Sequence, residues 1–298
     1  MLTQTPRIIV IGGPTASGKT ALAIDVALKL GTEIINADSR QIYQELNIGV
    51  AKPTLEELNR VKHHFVNHVS IHTHYSAGDF QREAQLKLKQ LINQFGSAVI
   101  CGGTGLYIKA LLEGLDTLPE VAPELREEIE NQFQTEGLTA IQQRLLSIDA
   151  NAGNLIALDN PARVKRALEL VIQGKTSLEN IFNQKSTSAI WPQIDYYCID
   201  WPREELYHRI NIRVDQMIEM GLEAEVRDFF EFRTLKSLQT VGYSEWFDHF
   251  EGKISKDEAI ALIKQHTRNY AKRQITWFKN QFSSKWILAD TALESIFA

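Results

Sequence analysis

Cysteine is scarce in this chain: 298 residues hold two, Cys101 and Cys198, each inside a short apolar run (SAVICGG, DYYCID). Both read as reduced core residues rather than a disulfide or a metal site. No apolar run approaches the ~20 residues that a membrane-spanning helix needs. The first residues lack the apolar stretch of a secretory signal, so the expected location is the cytoplasm, with no membrane partner. Low-complexity tracts and internal repeats are also missing. So is an excess of positive charge: 32 Lys and Arg stand against 37 Asp and Glu, for a net charge of −5. Indiscriminate binding to nucleic acid is therefore disfavoured, but a local patch is not. One lies between Ala259 and Ala289, where Lys264, Arg268, Lys272, Arg273, Lys279 and Lys285 meet no acidic residue. Tyr270, Trp277, Phe278 and Phe282 are interleaved with them. The pattern suits a nucleic-acid face, and equally a long helix packing an apolar stripe on the core.

What is present is a rhythm of strand and helix. RIIVIGG at 7–13 is a β-branched run ending in glycine, as in a buried parallel strand. TALAIDVALKLG at 20–31 has helical spacing and stops on Gly31. EIINAD at 33–38 reads as a strand, HHFVNHVSI at 63–71 less clearly so, FQREAQLKLKQLINQFG at 80–96 as an amphipathic helix and SAVICGG as a further buried strand. This alternation specifies an α/β core with a mostly parallel sheet. After the proline-punctuated LDTLPEVAPEL at 115–125 the pattern turns helical until about Asn183, and NQKSTSAIWP at 183–192 reads as a return linker. DYYCID at 195–200 is another strand, followed by helices and a short strand at KWILA. The expected organisation is a core over 1–117, a helical insertion over 118–192, and a core completion with a helical C-terminal portion over 193–298.

Gly13-Pro14-Thr15-Ala16-Ser17-Gly18-Lys19-Thr20 fits G-x-x-x-x-G-K-[ST] between a predicted strand and a predicted helix. Gly13 and Gly18 let successive N–H groups converge on phosphate oxygens, the helix start adds its positive end, and Lys19 adds a full charge. The Thr20 hydroxyl is placed to help hold Mg²⁺. This is a phosphate or diphosphate site on a P-loop NTPase-like core. A GTPase is disfavoured because neither NKxD nor DxxG occurs. A motor-type ATPase is disfavoured because SAVICGG ends where a metal-binding Asp belongs. A small-molecule kinase stays open.

Asp38-Ser39-Arg40-Gln41 follows the second strand directly, where ligands sit in an open α/β sheet. A carboxylate at Asp38 can ligate Mg²⁺, accept a proton from a nucleophile, or cap the following turn. Spacing does not choose among the three.

GPTASGKT, ADSRQIY, IGVAKP at 48–53, YSAGDF at 75–80, GGTGLY at 102–107, RALEL at 166–170 and KRQITWF at 272–278 occur in this order. Together they resemble the tRNA dimethylallyltransferase family from about residue 8 to 287. The resemblance implies transfer of a dimethylallyl group from dimethylallyl diphosphate to N6 of the adenine 3′ of the anticodon, in tRNAs reading codons that begin with U. It implies Asp38 as general base, Thr104 as a positioning group, and Arg213 as a diphosphate ligand with Arg209, one turn earlier, as its alternate. It implies Thr15 to Thr20 as the diphosphate cradle, with Mg²⁺ at Thr20. Implied contacts to the tRNA anticodon stem-loop are Asp38, Ser39, Arg40 and Gln41, then Arg126, then Ala162 to Arg166 (Arg163, Val164, Lys165, Arg166), and finally Gln239, Thr240, Val241, Gly242, Tyr243 and Ser244. Ala162 departs from the family pattern, where a polar residue is common. Gly242 allows close backbone approach, and Tyr243 is a candidate to stack on a base. The expected state is a monomer. An adenylate isopentenyltransferase acting on free nucleotide is the neighbouring reading. The insertion and the basic-aromatic tail favour the larger substrate. His63, His64, His68, His72 and His74 crowd one stretch, but in strand and loop they are expected to support the fold rather than bind metal.

Overall fold

The computed structural model describes residues 6–115, 118–183, 191 and 193–298. The expected return linker, apart from Asn183 and Trp191, and the boundary residues 117 and 192 lie outside them. In chain order the elements are β1 (Arg7–Gly12), α1 (Lys19–Leu30), β2 (Ile34–Asn36), α2 (Leu55–Arg60), β3 (His63–His64), α3 (Ala77–Phe95), β4 (Ser97–Cys101) and α4 (Gly105–Glu113). The helices α5 (Pro123–Ile148), α6 (Ala152–Leu155), α7 (Pro161–Gly174) and α8 (Leu178–Phe182) follow. The chain then continues through β5 (Gln193–Asp200), α9 (Arg203–Glu219), α10 (Leu222–Asp228), α11 (Ser244–Phe250), α12 (Lys256–Gln281), β6 (Lys285–Leu288) and α13 (Ala292–Phe297).

It divides into two compact units, Met1–Glu113 with Ile190–Ala298, and Gly114–Ala189. In the first, among the described residues, six strands form one sheet in the order β3-β2-β4-β1-β5-β6, every pairing parallel. The period-two pleat sends alternate residues to opposite faces. Ile8 and Val10 join a core with Ile35, Ile100, Phe80 and Phe278. Ile9 and Ile11 join another with Ile24, Ile34 and Val99. Burial on both faces explains why these strands read as unbroken apolar runs. The third strand is shorter than HHFVNHVSI suggests, because Phe65 (φ 65°) and Asn67 (φ 54°) leave the extended region.

The second unit is helical. In α7 the stripe Val164, Ala167, Leu168 and Val171 is buried against Ile129, Ile141 and Leu145 of α5. Asn160 caps α7, its side chain accepting from the Arg163 N–H at 3.2 Å. Within α5, Gly137 (φ 81°, ψ −176°) breaks the helical path.

Candidate active site

Because all strands run the same way, the loops after β1, β2 and β4 emerge at one edge of the sheet. Their closeness is fixed by backbone bonds: Ala37 N–H donates to Cys101 O (2.7 Å), Gly102 N–H to Ile11 O (3.2 Å) and Thr104 N–H to Ala37 O (3.1 Å). Gly102 is required, since a Cβ there would stand 2.1 Å from Ala37 O. These loops border a cavity of about 1660 Å³ lined by Thr15 to Thr20, Asp38 to Gln41, the 47–53 loop, Arg209, Arg213, and Gln239 to Gly242.

Ala16 (φ 62°) and Gly18 (φ 92°) place left-handed residues alternately in the phosphate loop, the conformation in which N–H groups converge on an anion. Outside side chains hold its backbone. Gln274 accepts from the Thr15 N–H (2.9 Å) while donating to Gly103 O (3.0 Å). Arg209 Nε donates to Ala16 O (2.9 Å), and Trp201 Nε1 donates to Ser17 O (3.0 Å). Lys19 donates to Pro14 O. Burial lowers the Lys19 pKa to about 8, Arg213 adding to the fall and Cys101 and Asp38 opposing it. Arg213 reaches the Thr15 hydroxyl at 3.4 Å and Ala51 O at 3.5 Å. Its own pKa is pushed down by burial, with Asp38 pulling the other way.

Asp38 does cap the following turn, Oδ1 accepting from the N–H groups of Arg40 (2.9 Å) and Gln41 (3.3 Å). Oδ2 is left without a protein partner among the described residues. Thr104 Oγ1 accepts from the Ser39 N–H (3.0 Å) and donates to Ser39 Oγ (3.2 Å), so it fixes the turn carrying Asp38. Tyr270 also hydrogen-bonds Thr104 and lines the cavity; burial and the Asp38 charge lift its pKa to about 12.

The fold joins two blocks far apart in sequence. Arg40 donates to the carbonyls of Lys236 (3.2 Å), Ser237 (2.8 Å) and Gln239 (3.2 Å), tying 38–41 to 239–244. Its guanidinium is thus turned onto protein rather than outward. Gln41 is similarly occupied: its side-chain amide is buried and donates to Val50 O (3.2 Å) and Ala51 O (2.9 Å), holding Ala51 at φ 48°.

Tyr243 is a correction. Its ring is fully buried on Gly49, and its hydroxyl donates to Glu225 Oε1 (2.6 Å), so it supports the 47–53 loop instead of offering a face to a base. Glu225 also accepts from the N–H groups of Ile48 (2.7 Å) and Gly49 (3.0 Å). Gly242 (φ 93°) does bring backbone close to Gly49 O, and its N–H is held by buried Glu245 (2.8 Å), which also binds His266 (2.6 Å).

In the helical unit, Val164 is a second correction. It faces the core at 0% exposure because it begins the apolar stripe of α7. Arg126 and Arg163 are exposed with no side-chain partner among the described residues. Arg166 pairs with Glu169 (2.9 Å) and Lys165 with Glu130 (2.6 Å).

Most of the basic-aromatic tail is α12, with Phe282 just past its end and Lys285 on β6, and its aromatics do pack inward. Phe278 lies on Gly12 and Trp277 on Gly105, contacts that a Cβ at either glycine would destroy. Lys264 pairs with Asp215, and Arg268 bonds Asn211. Lys272 and Arg273 line a separate hollow of about 450 Å³. The histidines scatter: His64 binds Glu33, His68 binds Glu83, and His63 bonds Val61 O.

A parallel α/β sheet with a phosphate-loop-type turn, a cavity arginine and a half-free carboxylate at the strand ends defines a P-loop-like α/β fold. Comparison with known proteins gives the family. The IPP transferase family model matches residues 41–281, so the chain belongs to the IPP transferase family. It is 44% identical to the tRNA dimethylallyltransferase of Cytophaga hutchinsonii over 94% of this chain and 91% of that protein. It is 43% identical to the tRNA dimethylallyltransferase of Christiangramia forsetii, over 97% and 96%. Among solved structures, the tRNA delta(2)-isopentenylpyrophosphate transferase of Staphylococcus epidermidis superposes with a TM-score of 0.70 at 34% identity, covering 98% of this chain and 97% of that one.

Gln274, Trp201, Glu225 and Glu245 are the residues sequence reasoning missed; Tyr270, read there only as part of the basic-aromatic stretch, lines the cavity. Gln274 sits inside KRQITWF, where a buried amide could have been suspected. A lone tryptophan before Pro202 gives no such signal.

Proposed function

We propose that this chain is a tRNA dimethylallyltransferase, moving a dimethylallyl group from dimethylallyl diphosphate to N6 of the adenine 3′ of the anticodon. The supporting observation is a single cavity bordered by the phosphate loop with Arg213 and also by Asp38. The diphosphate binds the loop N–H groups, Lys19 and Arg213. The Thr20 hydroxyl and the diphosphate oxygens are the hard donors that a Mg²⁺ ion takes, which fits an ion bound mainly through substrate phosphates. Held there, such an ion would supply positive charge to offset the charge developing on the leaving diphosphate. The adenine nitrogen forms a bond to the allylic carbon as that carbon's bond to the diphosphate oxygen breaks, the electron pair leaving with diphosphate. The amine proton, acidic only as the C–N bond forms, passes to Asp38 Oδ2. Thr104 holds Asp38 in place through Ser39, and most of the rate comes from orientation and from stabilising the leaving group.

Incubation with labelled dimethylallyl diphosphate and either tRNA or AMP tests the reading. Label on tRNA N6-adenine, with diphosphate released, is the expected result. Label on AMP alone would make the protein a free-nucleotide prenyltransferase, and phosphoryl transfer without prenylation would make it a kinase.

A further inference from the structure

The phosphate loop is held from behind, and two of the groups holding it form a stacked pair. Trp201, just after β5, donates Nε1–H to Ser17 O at 3.0 Å. Arg209, on α9, donates Nε–H to Ala16 O at 2.9 Å, and its guanidinium carbon lies 4.3 Å from the centre of the Trp201 ring. In a planar trans peptide the carbonyl of one residue and the N–H of the next point in opposite directions. Fixing Ala16 O therefore fixes the Ser17 N–H, and fixing Ser17 O fixes the Gly18 N–H. Both amides belong to residues lining the cavity; Arg209 also borders it, at the side of the loop, whereas Trp201 is not among its lining residues.

We infer that Trp201 and Arg209 act together as positioning residues for the diphosphate donor, aiming the Ser17 and Gly18 N–H groups by gripping the carbonyls on the far side of those two peptides. The inference rests on the proposed use of dimethylallyl diphosphate. It separates Arg209 from Arg213: the first orders the loop, and the second faces the ligand. An arginine suits the task because a donor at Nε and a planar face for stacking are available at once; a lysine offers neither in that geometry. The tryptophan supplies a donor and a ring from one rigid side chain.

The test uses the full chain and three variants. Trp201→Phe keeps the stack and loses one hydrogen bond, and Trp201→Leu loses both. Arg209→Lys keeps the charge and loses the stacked fork. Affinity for inorganic diphosphate with Mg²⁺ is measured by calorimetry, and the Michaelis constants for dimethylallyl diphosphate and tRNA are measured separately. Trp201→Phe should weaken diphosphate binding about three- to tenfold, the worth of one hydrogen bond. Trp201→Leu and Arg209→Lys should weaken it further, and together less than additively. The tRNA constant should stay within twofold. Wild-type diphosphate affinity in Trp201→Phe and Trp201→Leu would overturn the inference, as would equal losses in both Michaelis constants, which mark a general loss of structure. Failure of the wild-type chain to bind diphosphate or to use dimethylallyl diphosphate would instead overturn the function proposed above.

Discussion

Arg209 and Arg213 stand one turn apart on α9 and take different partners at the same loop. Arg209 bonds the Ala16 carbonyl and stacks on Trp201, while Arg213 reaches the Thr15 hydroxyl at 3.4 Å. Four residues of separation keep both on one helix face, but Arg209 is fixed by a 2.9 Å bond and a stacked ring, while Arg213 makes only the longer contacts to Thr15 Oγ1 and to Ala51 O at 3.5 Å.

Lys19→Ala and Arg213→Ala should each lower kcat/KM for dimethylallyl diphosphate, and the double variant should lose less than the product of the two. Both groups hold one diphosphate, so removing one disorders what the other was holding. Steady-state kinetics of the four proteins measures the coupling. Independent effects would place Arg213 on tRNA phosphate.

Asp38→Asn is the sharper test of the base. Asparagine can still accept from the Arg40 and Gln41 N–H groups at Oδ1, but it cannot take a proton. Single-turnover prenyl transfer should fall ~10²–10⁴-fold, with tRNA affinity changed only a few-fold. Asp38→Ala should lose the same rate and, with the turn uncapped, some stability as well. Near-normal turnover in Asp38→Asn would remove the residue from proton transfer.

Much of this architecture is legible in the sequence because local chemistry announces it. Runs of Ile and Val specified the strands, glycines marked the ends of α1 and α3, and the phosphate loop and Asp38 fell at strand ends. The direction of side chains across long-range contacts is not announced. Tyr243 looked like a stacking platform and is a buried prop for Gly49. Arg40 and Gln41 stood in the tRNA block, yet their donors are spent on carbonyls 196 and 10 residues away. Val164 sits between basic residues, but its place on the apolar stripe of α7 sends it inward. For Tyr243 and Arg40 the deciding partner lies in an element that periodicity alone could not bring near, whereas the inward turn of Val164 follows from the spacing of Val164, Ala167, Leu168 and Val171 on α7.

The pH dependence of donor binding should follow Lys19. Its pKa is held at about 8 in the free protein, chiefly by burial, and diphosphate will raise it. Binding then takes up a proton above pH 8, so affinity is complete below that value and declines as pH rises through it. The same shift acts oppositely on the fold: between about 8 and the ordinary 10.5 the unfolded chain binds more protons, and stability from this site rises with pH. Lys52 also lies near 8 and lines the cavity, so diphosphate affinity is titrated in Lys52→Met as well. The decline should persist in Lys52→Met; its disappearance there would assign the titration to Lys52.

Two glycines should differ in what an added methyl costs. At Gly102 the new Cβ would meet the Ala37 carbonyl at 2.1 Å, and backbone there is pinned by the Ala37–Cys101 and Gly102–Ile11 hydrogen bonds. At Gly49 it would meet the Tyr243 ring at 2.4 Å, on a loop outside regular structure. Gly49→Ala should cost ~1–3 kcal/mol, the usual range for overpacking, and Gly102→Ala more. Urea unfolding gives the order, and Tyr243→Leu should recover part of the Gly49→Ala loss by making room. Failure of that recovery would show that the loop, not the ring, resists the methyl.

The helical unit's part in tRNA binding should be carried by cations that are still free to pair. A phosphate contact gains most where the cation does not first surrender an internal partner. Arg126 and Arg163 are exposed and unpaired among the described residues, while Arg166 is engaged with Glu169 and Lys165 with Glu130. The adenine must also leave its stack, at a cost of a few kcal/mol that contacts around the loop offset. Arg126→Ala and Arg163→Ala should therefore each weaken tRNA binding and flatten its salt dependence by roughly one unit of log–log slope. Arg166→Ala should do less, because the wild-type guanidinium competes with Glu169 for the phosphate. The Michaelis constant for dimethylallyl diphosphate should stay put throughout. Titrations of tRNA affinity across a salt series in the three variants measure this directly. An unchanged slope in Arg163→Ala, with activity intact, would take the helical unit out of phosphate contact and restore the free-nucleotide reading as the rival to exclude.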